Sequence, residues 1–125
     1  MKARILIVDD SSLARRTTRH VLEAMGHTVE EATDGAQALE RYYLNRHDLV
    51  ILDMVMTGMY GVEVLGKMRE LNPEVRVIVA TADIQQSTQD QVRAAGAAAF
   101  IKKPLTRNTL GDLVTRVLEG GVVWN

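Results

Sequence analysis

The sequence predicts an α/β domain built on a doubly wound, five-stranded parallel sheet, and three observations predict it. Short apolar runs alternate with stretches of helical periodicity five times over 125 residues. The runs are almost continuously apolar, as in strands buried on both faces, rather than alternating as in a half-solvated sheet. Two of them, Ile5-Leu6-Ile7-Val8 and Leu49-Val50-Ile51-Leu52, end directly on acids, Asp9-Asp10 and Asp53. In such a sheet the carboxyl ends of the strands share one edge, and ligands bind there.

Taken in order, Arg4 to Val8 is the first strand. Ser11 or Ser12 can cap a helix with Leu13, Thr17, Val21, Leu22 and Met25 toward the core, stopped at Gly26. Thr28 to Ala32 is the second strand; Asp34-Gly35 then opens a helix that carries Ala38, Leu39, Tyr42 and Tyr43 inward. Leu49 to Asp53 is the third strand, followed by a loop from Met54 to Tyr60. A helix from about Gly61 to Leu71 carries Val62, Val64, Leu65 and Met68, and Asn72-Pro73 stops it, since a residue before proline avoids the helical region. Val75 to Ala80 is the fourth strand and ends at Thr81. A polar helix from about Ser87 to Ala95, closed by Gly96, leads to a short fifth strand, Ala97 to Ile101. Lys102-Lys103-Pro104 breaks the chain, Thr106 caps the last helix, and Leu110, Leu113, Val114, Val117 and Leu118 form its inner face before Gly120-Gly121.

This length makes one domain with a single sizeable core. With 46% apolar and 25% charged residues the composition is that of a globular protein, and a net charge of −1 argues against nucleic acid or an acidic membrane as partner. No apolar stretch reaches the roughly 20 residues that span a bilayer. The four-residue run after Met1-Lys2-Ala3-Arg4 is too short for a signal peptide. The absence of cysteine removes disulfides and thiolate metal sites and fits a reducing cytoplasm.

The shared edge collects Asp9, Asp10, Asp53, Thr81 and Lys103. Crowded carboxylates resist ionising unless a cation neutralises them. Magnesium suits the set, because it is a hard ion that takes oxygen ligands and commonly uses one or two carboxylates together with waters and a phosphate oxygen. A carboxylate is also a nucleophile toward phosphorus, and phosphoryl transfer asks for little beyond alignment and charge neutralisation. Asp53, a Mg²⁺ held by Asp10, Lys103 and Thr81 make such a set.

These residues resemble the response-regulator receiver domains of the CheY type. The likeness runs from about Ala3 to Glu119: Asp9-Asp10 after strand one, Asp53 after strand three with Met56 and Gly61 beyond it, Thr81-Ala82 after strand four, and Phe100 with Lys103-Pro104 after strand five. The resemblance implies the flavodoxin-like strand order 2-1-3-4-5. It implies a receiver domain over residues 1–120, with 121–125 a tail or the start of a linker. Asp53 would be the phosphoacceptor, supplied by the phosphohistidine of a sensor histidine kinase or a phosphotransfer protein. Mg²⁺ would be ligated by Asp10, Asp53 and the backbone carbonyl of Val55, with Asp9 acting mainly through water. Lys103 and Thr81 would hold phosphoryl oxygens. Thr81 and Phe100 would form the switch that remodels the face of helix four, strand five and helix five, where a downstream protein would dock. The result would be a cytoplasmic signalling domain with slow self-catalysed chemistry rather than an enzyme proper.

Four positions bear on departures from the pattern. Thr57 stands where the family usually has proline, and Phe100 replaces a tyrosine. Val55 and Asp83 occupy positions that tune loss of the phosphoryl group, and an apolar Val55 implies a long-lived phosphorylated state. Competing readings are a Mg²⁺-dependent aspartyl phosphatase, for which Val55 stands where the second acid belongs, a phosphate-independent dimerisation module, and nucleotide binding, for which no glycine-rich loop follows strand one. Arg15, Arg16 and Arg19 read equally as a kinase-docking face or a solvated one. His20, His27 and His47 lack metal spacing and a triad partner and read as structural or surface, Met54, Met56 and Met59 as gap fillers. Val122-Val123-Trp124-Asn125 docks on the domain or begins a linker.

Overall fold

The computed structural model describes residues 2–56, 58–120 and 123–124. Thr57, Gly121, Val122 and Asn125 lie outside the described residues. Strand β1 (Arg4–Val8) leads to helix α1 (Ser12–Ala24), β2 (Thr28–Ala32) to α2 (Gly35–Asn45), and β3 (Leu49–Asp53) to two short strands, β4 (Val55–Met56) and β5 (Met59–Tyr60). Helix α3 (Gly61–Leu71), β6 (Val77–Thr81), α4 (Gln86–Ala94), β7 (Ala99–Lys102) and α5 (Arg107–Gly120) complete the chain. The main sheet is five-stranded and parallel in the order β2-β1-β3-β6-β7. Counting only these five, that is the expected order 2-1-3-4-5.

Alternation along the inner strands divides the core in two. Leu6, Val8, Val50, Leu52, Val77 and Val79 pack with Ala38, Tyr42, Val64, Leu65, Met68 and Val92 from α2, α3 and α4. Ile5, Ile7, Leu49, Ile51, Ile78 and Ala80 pack with Leu22 of α1 and Leu110, Val114 and Val117 of α5. β3 and β6 are buried at every position, which explains why they read as continuous apolar runs.

Local chemistry ends the helices where the sequence places their caps. Ser11 is the cap of α1, its side chain accepting from Ala14 N at 3.2 Å, and Asp34 caps α2 by accepting from Gln37 N at 2.8 Å. Thr106 accepts from Thr109 N at 3.2 Å at the start of α5. Gly26 and Gly96 follow α1 and α4 at φ +93° and +96°, the left-handed conformation that suits glycine.

Several expected positions shift. β6 begins at Val77 rather than Val75, since its ladder with β3 starts at the Val50–Val77 pair, and β7 begins at Ala99 rather than Ala97 for the same reason in its pairing with β6. Tyr43 is 61% and Leu13 70% exposed, so neither joins the core. The buried residues of α1 are Thr18 and Leu22, and Thr17, expected on the inner face, is exposed. At the other end of the chain Val123 N donates to Ala98 O at 2.7 Å, and Trp124 Nε1 donates to Ala97 O at 3.0 Å beneath the Arg93 guanidinium. These two tail residues therefore dock at the start of β7.

Candidate functional site

The site forms where β1, β3, β6 and β7 end. β1 delivers Asp9, and the backbone turns immediately after it: Asp9 Oδ1 accepts from Ser11 N at 2.9 Å, which ties the acid to the start of α1. β3 delivers Asp53, and β7 runs on to Lys103, whose N–H donates to Thr81 O at 2.9 Å. The Lys103–Pro104 peptide is cis.

Lys103 Nζ lies 2.8 Å from Asp9 Oδ2 and 3.2 Å from Asp53 Oδ1, bridging acids from two strands. Carboxylate oxygens of Asp9, Asp10 and Asp53 all lie within 4.8 Å of one another. Asp9 and Asp53 are buried and Asp10 is exposed, so the cluster is solvent-accessible on one side. Burial pushes the Asp53 carboxyl above the ordinary carboxylate range; the Lys103 charge pulls it down, and the Asp9 charge pushes it up again. Burial alone would lower the Lys103 ammonium, but its hydrogen bond to Asp9 and the charges of Asp53 and Asp9 outweigh that and raise it. One ammonium thus offsets part of the negative charge of the cluster. A three-oxygen donor set with charge left over and one open side fits a hard divalent cation such as Mg²⁺.

Thr81 is buried at 4% exposure, and its Oγ1 accepts from Asp83 N at 3.0 Å. Thr81 borders a cavity with Met54, Val55, Tyr60 and Asp83 beside the acids. Asp83 is turned away, accepting from Thr88 Oγ1 at 2.6 Å and Gln85 N at 3.0 Å, which holds its carboxyl below the usual range. Val55 is 59% exposed and pairs with Tyr60 across the antiparallel β4–β5 hairpin. Phe100 is half-buried on β7, opposite Val79 in register, and packs against the α2–α3 side of the core.

The remaining candidates sort cleanly. His27 Nδ1 accepts from Ala3 N at 3.1 Å and His47 Nε2 lies 2.7 Å from Glu30; both are buried structural histidines. Met54 and Met56 are core. Arg15 and Arg19 both bind Glu31 of β2, at 2.9 and 2.6 Å; the Arg15 side chain is 14% exposed and that of Arg19 33%. Apolar spacing put Thr17 on the inner face, where the structure has Thr18; Val21 and Leu22 pack on the core as expected, and Arg15 lies one turn before Thr18 and Leu22. The β4–β5 hairpin was missed, since strands of two residues carry no periodicity.

The five-stranded parallel sheet in this order carries acids at the ends of its first and third strands and a lysine after its last. The response regulator receiver domain model matches residues 5–115, and the chain belongs to that family, the receiver domains of two-component signalling. Among curated relatives it is 35% identical over 120 residues to the chemotaxis protein CheY of Bacillus subtilis, covering 95% of this chain and 100% of that one. It is 34% identical over 118 residues to the sporulation initiation phosphotransferase F of the same organism, covering 94% and 95%. A CheY-like receiver domain protein from Methanospirillum hungatei superposes with a TM-score of 0.89 at 29% identity over 95% of both chains. Receivers of this family act as signalling domains that meet sensor kinases and downstream targets, and they generally bind Mg²⁺. No described helix is long and apolar enough to cross a membrane.

Proposed function

We propose that this receiver is switched by phosphorylation of Asp53 from the phosphohistidine of a histidine kinase or phosphotransfer protein. The observation that carries the reading is Lys103 Nζ placed between Asp9 and Asp53, with three carboxylates inside 4.8 Å. An Asp53 carboxylate oxygen attacks phosphorus, the P–N bond breaks, and its electron pair returns to the leaving imidazole, which leaves an acyl phosphate on Asp53. Lys103 stays protonated and pairs with a phosphoryl oxygen; the Thr81 hydroxyl donates to another. Asp10, Asp53 and the Val55 carbonyl would hold Mg²⁺ directly and Asp9 through water, supplying further neutralisation of phosphoryl charge when bound.

Thr81 Oγ1 accepts from the Asp83 amide and keeps its hydroxyl hydrogen for a phosphoryl oxygen, and Phe100, half-buried on the neighbouring strand two positions before Lys102, is the aromatic that would respond to a shift of Thr81. The phosphorylated form then favours the conformer with Phe100 inward, a population shift that alters the α4–β7–α5 face offered to a downstream protein. The domain so defined is residues 1–120, with 121–125 a tail or linker, working in the cytoplasm and contacting neither nucleic acid nor membrane.

Intact-mass measurement with acetyl phosphate, with and without Mg²⁺, tests the reading on the wild type and Asp53→Asn. The expected result is one added phosphoryl group that requires Mg²⁺ and vanishes in Asp53→Asn. A folded wild type that takes none, or a variant that takes as much, overturns it.

A further inference from the structure

Arg15 stands outside the acid, lysine and threonine set, yet touches it. One turn into α1, its side chain leans back toward the helix start, as helical side chains do. Nη1 donates to the Asp9 backbone carbonyl at 2.7 Å and Nε to Glu31 Oε1 at 2.9 Å. The second Glu31 oxygen accepts from Arg19 Nε at 2.6 Å, and Arg19 Nη1 reaches Glu23 at 3.1 Å. The Arg15 side chain is 14% exposed, so it is held in a fixed pose between helix, strand and loop.

The carbonyl that Arg15 grips belongs to the planar peptide joining Asp9 to Asp10. Holding that oxygen fixes the peptide plane, and with it the place of the Asp10 Cα from which the side chain departs. The other side of the same turn is held by the Asp9 carboxylate, which accepts from Ser11 N at 2.9 Å and from Lys103 Nζ at 2.8 Å. Because Glu31 neutralises Arg15, the action of the guanidinium on the acids is geometric more than electrostatic.

We infer that Arg15, anchored by Glu31, is a positioning residue that pre-sets the Asp9-Asp10 turn for cation binding; the inference rests on the reading of the acid cluster as a Mg²⁺ site. Arg19 supplies an internal comparison. It belongs to the same α1–β2 ion network but makes none of the described contacts to the acid turn. A merely structural brace would make the two arginines equivalent.

Calorimetric titration of the unphosphorylated full chain with MgCl₂ separates the two. Arg15→Met is expected to weaken Mg²⁺ binding about tenfold, at the lower end for residues that orient metal ligands. Arg19→Met should stay within about twofold of wild type. At saturating Mg²⁺ the Arg15→Met rate of phosphorylation by acetyl phosphate should recover most of its loss, and Arg15→Lys should fall between, since one ammonium cannot reproduce the two-pronged contact. Equal shifts in Arg15→Met and Arg19→Met, or none in either, overturn the inference while leaving the site reading intact. A wild type that binds no Mg²⁺ overturns both.

Discussion

Replacing Gly61 by alanine probes how tightly β3, which ends on Asp53, is coupled to α3. Gly61 opens that helix and its N–H donates to Met54 O at 2.7 Å, so the helix start rests on the residues that follow β3. A Cβ built there would lie 2.5 Å from the Asp53 carbonyl oxygen and 3.0 Å from Met54 Cα, where ordinary contact begins at 3.4 Å. The Asp53 backbone or the first turn of α3 must therefore yield by about 0.9 Å, the gap between 2.5 and 3.4 Å. The clashing atoms are backbone, so no rotamer relieves them. Overpacking of this kind costs about 1–3 kcal/mol, against a gain of roughly 0.5–1 kcal/mol for alanine over glycine in a helix. The net loss, from about zero to about 2.5 kcal/mol, lowers Tm by up to roughly 10 °C in a domain this size. The effect on chemistry should be larger, because a displacement of about 1 Å at a reacting group costs on the order of 100-fold in rate. Gly66 is the control: it sits in the same helix with nothing within 4 Å of its built Cβ. Gly66→Ala should gain roughly 0.5–1 kcal/mol and keep the wild-type rate. Thermal melts and the rate of phosphorylation by acetyl phosphate read both quantities. A Gly61→Ala protein with the melting point and phosphorylation rate of wild type would falsify the coupling.

Two further outcomes follow from the same geometry. Burial lowers the His47 pKa more than its Glu30 contact and the Asp48 charge raise it, and the Arg4 charge lowers it too. The folded pKa lies below the unfolded value of 6.5, so the unfolded state binds the extra proton first. Stability is full above that value and falls as pH drops from it toward the folded pKa, by up to about 1.4 kcal/mol per pH unit. Urea titrations at pH 5, 6 and 7 should show this slope reduced in His47→Gln; an unchanged slope would mean that other groups carry it. Val55, 59% exposed beside the acids, offers no hydrogen bond to an attacking water. Val55→Asn should speed loss of the phosphoryl group by about tenfold, the equivalent of about 1.4 kcal/mol in barrier; equal decay rates in a chase of the phosphorylated mass would contradict this.

Much of this protein follows from neighbours along the chain. Strand continuity at Leu49–Leu52 and Val77–Ala80, caps at Ser11, Asp34 and Thr106, and stops at Gly26 and Gly96 are local signals, and each local choice agrees with the final fold. Parallel strands with right-handed crossovers then oblige Asp9, Asp53, Thr81 and Lys103 to share one edge, and their proximity is legible in the order of the elements.

Only the tertiary structure decided how those groups touch. That Lys103 spans 94 residues of sequence to sit at 2.8 Å from Asp9 depends on where β7 ends relative to β1, which no periodicity encodes. The pose of α1 on the sheet turned Arg15 toward the Asp9 carbonyl and left Leu13 and Thr17 exposed, while Val21 and Leu22 took the inner positions that apolar spacing suggested. The two-residue strands around Val55 and Tyr60, and the docking of Trp124 on Ala97, are likewise contacts between short segments. Their energy comes from surfaces that exist only once the sheet is assembled. Periodicity reports which face of an element is apolar; the angle at which the element crosses its neighbours decides which side chains reach the chemistry.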